Sequence, residues 1–224
     1  YCRKWLANQI QVASLHVLHG VYATVYAPLW YRLLGAKIGR NAEISTAMGL
    51  IPDMLTLGHE TFIADAVMLG DEEIDGGWMS IDYTVIGDRS FVGNGAYVPD
   101  GTTLPPDVLI GVQSKAPPSA HMQPGQTWVG SPAVHLPSRE RLAGFPDELT
   151  FHPSVWRRLG RALVEALRIV MPLALVIGAG YVIISAVMPL AEAGQWLALV
   201  VALGVSGLLY GVGCFLLVVA LKWL

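Results

Sequence analysis

His59 is the only histidine between residues 20 and 120, and an imidazole near its ordinary pKa is suited to take a proton at neutral pH. It stands in L-G-H-E-T-F at an outward position of a repeat, so it is read either as a general base or as an exposed structural histidine. Asp65 can bind or orient an ammonium and Asn94 can supply an amide donor; the alternative is a hydrogen-bonded ladder that fixes the turns. Asp71, Glu72, Glu73 and Asp75 can attract a basic amino acid through charge, with Trp78 covering its aliphatic stem, unless they are simply solvated acids of a loop. The His and Cys residues show no metal-ligand spacing, so no metal is expected.

A six-residue ladder must position these groups. Ile86, Val92, Val98, Leu104 and Ile110 recur every six residues, followed by Gly, Gly, Pro, Pro and Gly. That period fits neither a helix nor simple strand alternation, and points to a parallel β-helix with three hexapeptides per triangular coil. The frame extends upstream through Ile38, Ile44 and Leu50, then Leu57, Ile63 and Leu69. Stacking predicts three outward columns: Arg40, His59, Asp88 and Pro106; Thr46, Asp65, Asn94 and Val112; and Pro52, Asp71 and Asp100. A longer insertion at about residues 71–85 leaves one corner, as functional excursions from rigid scaffolds do.

Hydrophobicity is concentrated after Arg168. Residues 169–191 carry no charge and as a helix reach about 34 Å, against about 30 Å of hydrocarbon. A second uncharged run, Ala193 to Leu221, has Trp196 at one edge and Lys222 and Trp223 at the other. Two antiparallel spans are expected, with Pro172 and Pro189 near the ends of the first. The opening segment, Trp5 to Tyr31, is uncharged but interrupted by Asn8, Gln9, Gln11, His16 and His19. It is read as an interfacial or re-entrant helical element ending near Pro28, with Trp5, Trp30 and Tyr31 at headgroup depth. The expected divisions are thus 1–34, membrane-associated helix; 35–135, β-helix with its insertion and terminal loop; 136–168, linker and basic juxtamembrane helix; and 169–222, two spans.

Arg157, Arg158, Arg161 and Arg168 precede the first span, whereas the short connection between spans holds only Glu192. The positive-inside tendency therefore places both ends and the β-helix in the cytoplasm of a multi-pass membrane protein. The net charge of −3 hides a division: residues 40–150 hold fifteen acids and five bases. An acidic body makes nucleic acid an unsuitable partner and raises the local concentration of a cationic amine, or merely keeps the β-helix soluble; basic flanks suit anionic lipid. Cys2 and Cys214 suggest no disulfide.

I-G-D-R-S-F-V-G-N, L-I-G-V-Q-S and W-V-G-S-P-A at Trp128 to Ala133 resemble the hexapeptide-repeat acyltransferases. More closely, L-G-A-K-I-G-R-N-A-E-I-S at Leu34 to Ser45, with the flanking spans, resembles the terminal region of membrane-bound nonribosomal peptide synthetases of the ε-poly-lysine synthetase type. The resemblance implies a left-handed parallel β-helix with flanking membrane helices. It also implies transfer of a carrier-bound aminoacyl group to an amine to form a peptide or isopeptide bond. On this reading the chain is one unit of a longer protein, and amino-acid activation occurs on adenylation and carrier domains outside it. His59, Asp65 and Asn94 become the catalytic candidates. Gly111, Ser114, Gly130, Ser131, Pro132 and Ala133 become the candidates for holding phosphopantetheine, or else coenzyme A, unless they form only a chain-reversing cap. The implied partners are neighbouring β-helix units in a trimer or tandem pseudo-trimer. Two alternatives stay open: a non-catalytic wall of that assembly, and a membrane-associated coenzyme-A-dependent acetyltransferase.

Overall fold

The computed structural model describes residues 2–137, 146 and 151–223. Two compact units divide the chain, Tyr1–Ala166 and Leu167–Leu224. The hexapeptides of the first unit form short strands stacked into three parallel sheets. One contains Lys37–Ile38, Leu55–Leu57, Thr84–Ile86 and Thr103–Leu104; the second Glu43–Ile44, Phe62–Ile63, Phe91–Val92, Leu109–Ile110 and Thr127–Val129; the third Ala47–Met48, Val67–Leu69 and Tyr97–Val98. The chain visits the sheets in rotation, which is a parallel β-helix. Ile44, Leu50, Leu57, Ile63, Leu69, Ile86, Val92, Val98, Leu104 and Ile110 are all at most 2% exposed. Each such side chain contributes about 1.5–3 kcal/mol of burial, so the repeat is a core pattern before it is anything else.

Two of the predicted columns follow the observed pairings, Ile38↔Leu57↔Ile86↔Leu104 and Ile44↔Ile63↔Val92↔Ile110. The third does not reach the first coil. Ile44 pairs with Ile63, yet Ala47 pairs with Val67, so the first coil is one residue shorter at this corner, where the second and third coils place Ala66 and Gly95 at φ of 55° and 63°. Pro52 therefore leaves the Asp71–Asp100 column and opens the 3-10 turn Pro52–Met54.

The insertion is a β-hairpin, Glu73–Asp75 against Trp78–Ser80. Gly76 and Gly77, at φ 52° and 81°, supply the two left-handed residues that a tight hairpin turn requires.

At the amino-terminal end lie helices α1 (Cys2–Val17) and α2 (Ala27–Leu33). Pro28 begins α2 rather than ending a helix, because a proline in the first turn forfeits no helical hydrogen bond. Tyr31 is fully buried, 0% exposed, and meets Tyr22 edge-on at 6.2 Å. It caps the first coil, which corrects the expectation that Tyr31 lies at headgroup depth.

Helix α3 (Val155–Glu192) runs on into the second unit, where α4 (Trp196–Lys222) follows. Both are long and apolar enough to cross a membrane. Because α3 starts at Val155, Pro172 lies in its interior and removes one rung of the helical ladder there. Part of the expected linker, residues 138–145 and 147–150, lies outside the described residues.

Candidate functional site

His59 occupies the corner after Leu55–Leu57. Its backbone N–H donates to Asp88 Oδ1 at 2.6 Å, and its Nδ1 accepts the Arg40 N–H at 2.9 Å. A neutral imidazole that accepts at Nδ1 carries its proton on Nε2. The one lone pair able to remove a proton is thus engaged by the turn below. Gly58 leaves room for this stacking, since a Cβ there would stand 2.3 Å from Asp88 Oδ1.

Asp65 and Asn94 meet at the next corner, as the column predicts. Asn94 Oδ1 accepts the Asp65 N–H at 3.2 Å, Asp65 Oδ1 accepts from the Ser45 hydroxyl and from Thr46 Oγ1, and Thr46 Oγ1 accepts the Ala66 N–H at 2.9 Å. These bonds form a ladder joining successive turns. Strand Phe62–Ile63 separates this corner from that of His59.

The third corner gathers acids. Asp71, Glu72 and Glu73 lie at the base of the hairpin, and Asp100 comes from the coil above. Asp82, on the returning chain, donates its N–H to Asp100 Oδ1 at 2.8 Å. Burial, then a hydrogen bond and charge repulsion from Glu72, and finally Asp100, raise the Asp71 carboxyl above its usual range. Asp100 is raised first by burial and further by Asp82 and Glu73, against opposing backbone hydrogen bonds. Tyr97 is raised by burial and then by Glu73, Asp71 and Asp100. Lys115 approaches from the next coil, its Nζ 5.5 Å from the Tyr97 ring centroid. From α1, Asn8 is 6% exposed and donates Nδ2 to Glu72 Oε2 at 2.8 Å, while its buried Oδ1 has no hydrogen-bond partner among the described residues. Repelling carboxyls beside a buried vacant acceptor and an aromatic ring are suited to a primary ammonium.

The predicted substrate-binding set is therefore divided. Asp71, Glu72 and Glu73 belong to this corner, whereas Asp75 and Trp78 face each other at the hairpin tip, with Trp78 76% exposed. Asp82, Tyr97, Asp100, Lys115 and Asn8 complete the corner. Asp100 was legible from the column shared with Asp71. Asn8 gave a signal too, as one of the polar residues that spoil the first segment as a hydrocarbon helix. Among the described residues no three His, Cys, Asp or Glu side chains are arranged to hold a metal ion.

The terminal W-V-G-S-P-A element is the turn of a second hairpin, Thr127–Val129 against Val134–Leu136, with the Trp128 and His135 rings 5.2 Å apart. Gly130, Ser131 and Pro132 are exposed, Ala133 is half-buried, and the Ser131–Pro132 peptide is cis. Gly111 and Ser114 point elsewhere. A Cβ on Gly111 would lie 2.8 Å from Val129 Cγ1, and Ser114, 2% exposed, accepts the Gly130 N–H at 2.8 Å. Gly111 and Ser114 support the exposed turn at 130–133 from behind.

No protein-family model matches the chain. Over all 224 residues it is 61% identical to the delta-poly-L-ornithine synthetase of Acinetobacter baumannii (strain AB307-0294), of which it spans 17%. Among solved structures, a hexapeptide-repeat acetyltransferase of Vibrio cholerae aligns over 60% of this chain and 92% of its own at 17% identity and a TM-score of 0.45. Soybean serine acetyltransferase aligns over 46% of this chain and 40% of its own at 22% identity and a TM-score of 0.37. The chain is homologous throughout to a segment of the ornithine-polymer synthetase.

Proposed function

We propose that this chain, as a homologue of a poly-amino-acid synthetase segment, is an acyl-transfer unit that joins a thioester-borne aminoacyl group to the amine of a basic amino acid. The coil is left-handed, the unit is membrane-bound with its β-helix in the cytoplasm, and neighbouring β-helix units complete its groove. The observation that carries the reading is the third corner: carboxyls raised by burial and mutual repulsion beside Tyr97 and the unpartnered Oδ1 of Asn8. An ammonium offsets that repulsion, and the exposed Trp78 at the hairpin tip can lie over the aliphatic stem of a basic amino acid.

The carrier's phosphopantetheine supplies an activated thioester, and Gly130, Ser131, Pro132 and Ala133 are the residues to hold that arm. The Asp71–Glu72 pair then handles the proton. As the amine nitrogen attacks, the C–N bond forms and its N–H becomes acidic. A carboxylate of raised pKa is better matched to receive that proton than an ordinary one. The C–S bond breaks and the proton passes on to the departing sulfur.

A second reading is favoured by His59. With Nδ1 taken by Arg40 and the Asp65–Asn94 ladder internally satisfied, those two corners are walls rather than reacting groups, and a neighbouring unit brings the remaining chemistry. The test uses the full-length synthetase with carrier loading and product formation measured separately. Asp71→Asn and Asp100→Asn are expected to leave loading unchanged and to raise the KM for the acceptor amino acid at least tenfold. Unchanged KM in both would assign the corner no part in acceptor binding and leave this unit as a wall.

A further inference from the structure

A cavity of about 770 Å³ lies between α2, the outer face of the second sheet and the first turns of α3. The strap that encloses it is firmly tied. Arg161 Nη1 bonds Glu43 Oε1 at 2.6 Å and its Nε bonds Glu165 Oε1 at 2.8 Å. Tyr26 donates its hydroxyl to the Ala162 carbonyl at 2.8 Å, Glu165 Oε2 accepts the Val25 N–H at 2.6 Å, and Asn41 donates to the Phe151 carbonyl at 3.1 Å. Apolar walls come from Val25, Pro28, Phe62, Phe151, Leu159 and Ala162.

The charges lining the cavity do not balance. Arg32 donates to the Ile38 and Gly39 carbonyls, and Arg161 is matched by Glu43 and Glu165. Glu60 is matched by Arg89 at 2.6 Å and approached by His152 at 3.7 Å. Arg157 and Arg158 also line the cavity, and among the described residues neither guanidinium has an acidic partner. Two cations at an apolar cleft select a ligand with an anionic head and a hydrocarbon body. In sequence these arginines precede the uncharged run from Ile169 on the same helix, where the negative surface of a bilayer attracts basic residues.

From this arrangement we infer that the cavity is a binding site for an anionic phospholipid, its phosphate held by Arg157 and Arg158 and the start of its acyl chains lying on Phe62, Phe151 and Leu159. The site is independent of the acyl-transfer reading. The experiment is native mass spectrometry of the full-length protein in detergent, titrated with dioleoyl phosphatidylglycerol or dioleoyl phosphatidylcholine, with glycerol-1-phosphate as a soluble competitor. Phosphatidylglycerol is expected to be retained at a tenfold or lower concentration than phosphatidylcholine. The Arg157→Gln/Arg158→Gln double variant should abolish that preference, and Ala162→Trp, which fills the apolar end and spares both arginines, should reduce retention of either lipid at least fivefold. Wild-type retention in both variants would overturn the site. Displacement by millimolar glycerol-1-phosphate would overturn the lipid assignment in favour of a soluble phosphate ester.

Discussion

Asp71 is strained electrostatically, and that strain is testable by pH. Its carboxyl is raised by burial and by Glu72 and Asp100, so the folded state holds the proton more tightly than the unfolded chain does. The stabilisation is fully present below the unfolded pKa and is lost as pH rises through the folded one. Asp71→Asn should therefore raise Tm at pH 7 by about 2 °C, with the gain fading toward pH 3, as thermal melts across that range would show. Combined with a weaker acceptor KM, it would mark a residue kept for binding at the expense of stability. His59 should behave in the opposite sense. His59→Ala removes the acceptor for the Arg40 N–H and should destabilise by about 1 kcal/mol, read from urea melts, while product formation stays within about twofold. A hundredfold loss of product with loading intact would restore His59 as the base. Sequence alone identified His59, Asp65 and Asn94 as outward residues. It could not show that their polar atoms are spent on neighbouring turns, because hydrogen-bond partners depend on the vertical stacking of coils and on rotamers that the repeat leaves open.

Among the elements, the hairpin at the third corner and the strap over the cavity make separate predictions. Gly76→Asn should be tolerated, since Asn enters the left-handed region readily, whereas Gly77→Val at φ 81° should distort the turn. Because the hairpin projects from the stack, Gly77→Val should raise the acceptor KM through Trp78 and Glu73 while shifting Tm by less than about 2 °C. The strap depends on Arg161, whose guanidinium is held charged by Glu43 and then Glu165. Arg161→Gln should speed hydrogen exchange in residues 155–165 at least fivefold and leave the strands around Ile63 and Val92 protected. The six-residue period made the strands legible because core burial imposes it directly. The hairpin was visible only as an insertion, and the shortened corner between Ile44 and Ala47 was hidden, because Ile44 and Leu50 keep the six-residue spacing and the irregularity shows in sequence only as the seven residues from Leu50 to Leu57. Pro28 and Tyr31 were misread for a related reason: an uncharged aromatic segment looks alike whether it caps a coil or lies at an interface.

For the whole molecule, the ladder supplies a rigid prism, α2 closes its first coil, and the acids concentrate where the hairpin leaves the stack. The chain spans 17% of the delta-poly-L-ornithine synthetase to which it is similar. The most direct measurement is single-turnover transfer in the full-length synthetase, following an aminoacyl group preloaded on the carrier as free basic amino acid is added. The account predicts that Asp71→Asn/Asp100→Asn slows transfer at least tenfold at subsaturating acceptor while loading is unchanged and saturating acceptor restores part of the rate. Transfer at the wild-type rate across the whole acceptor range would contradict it.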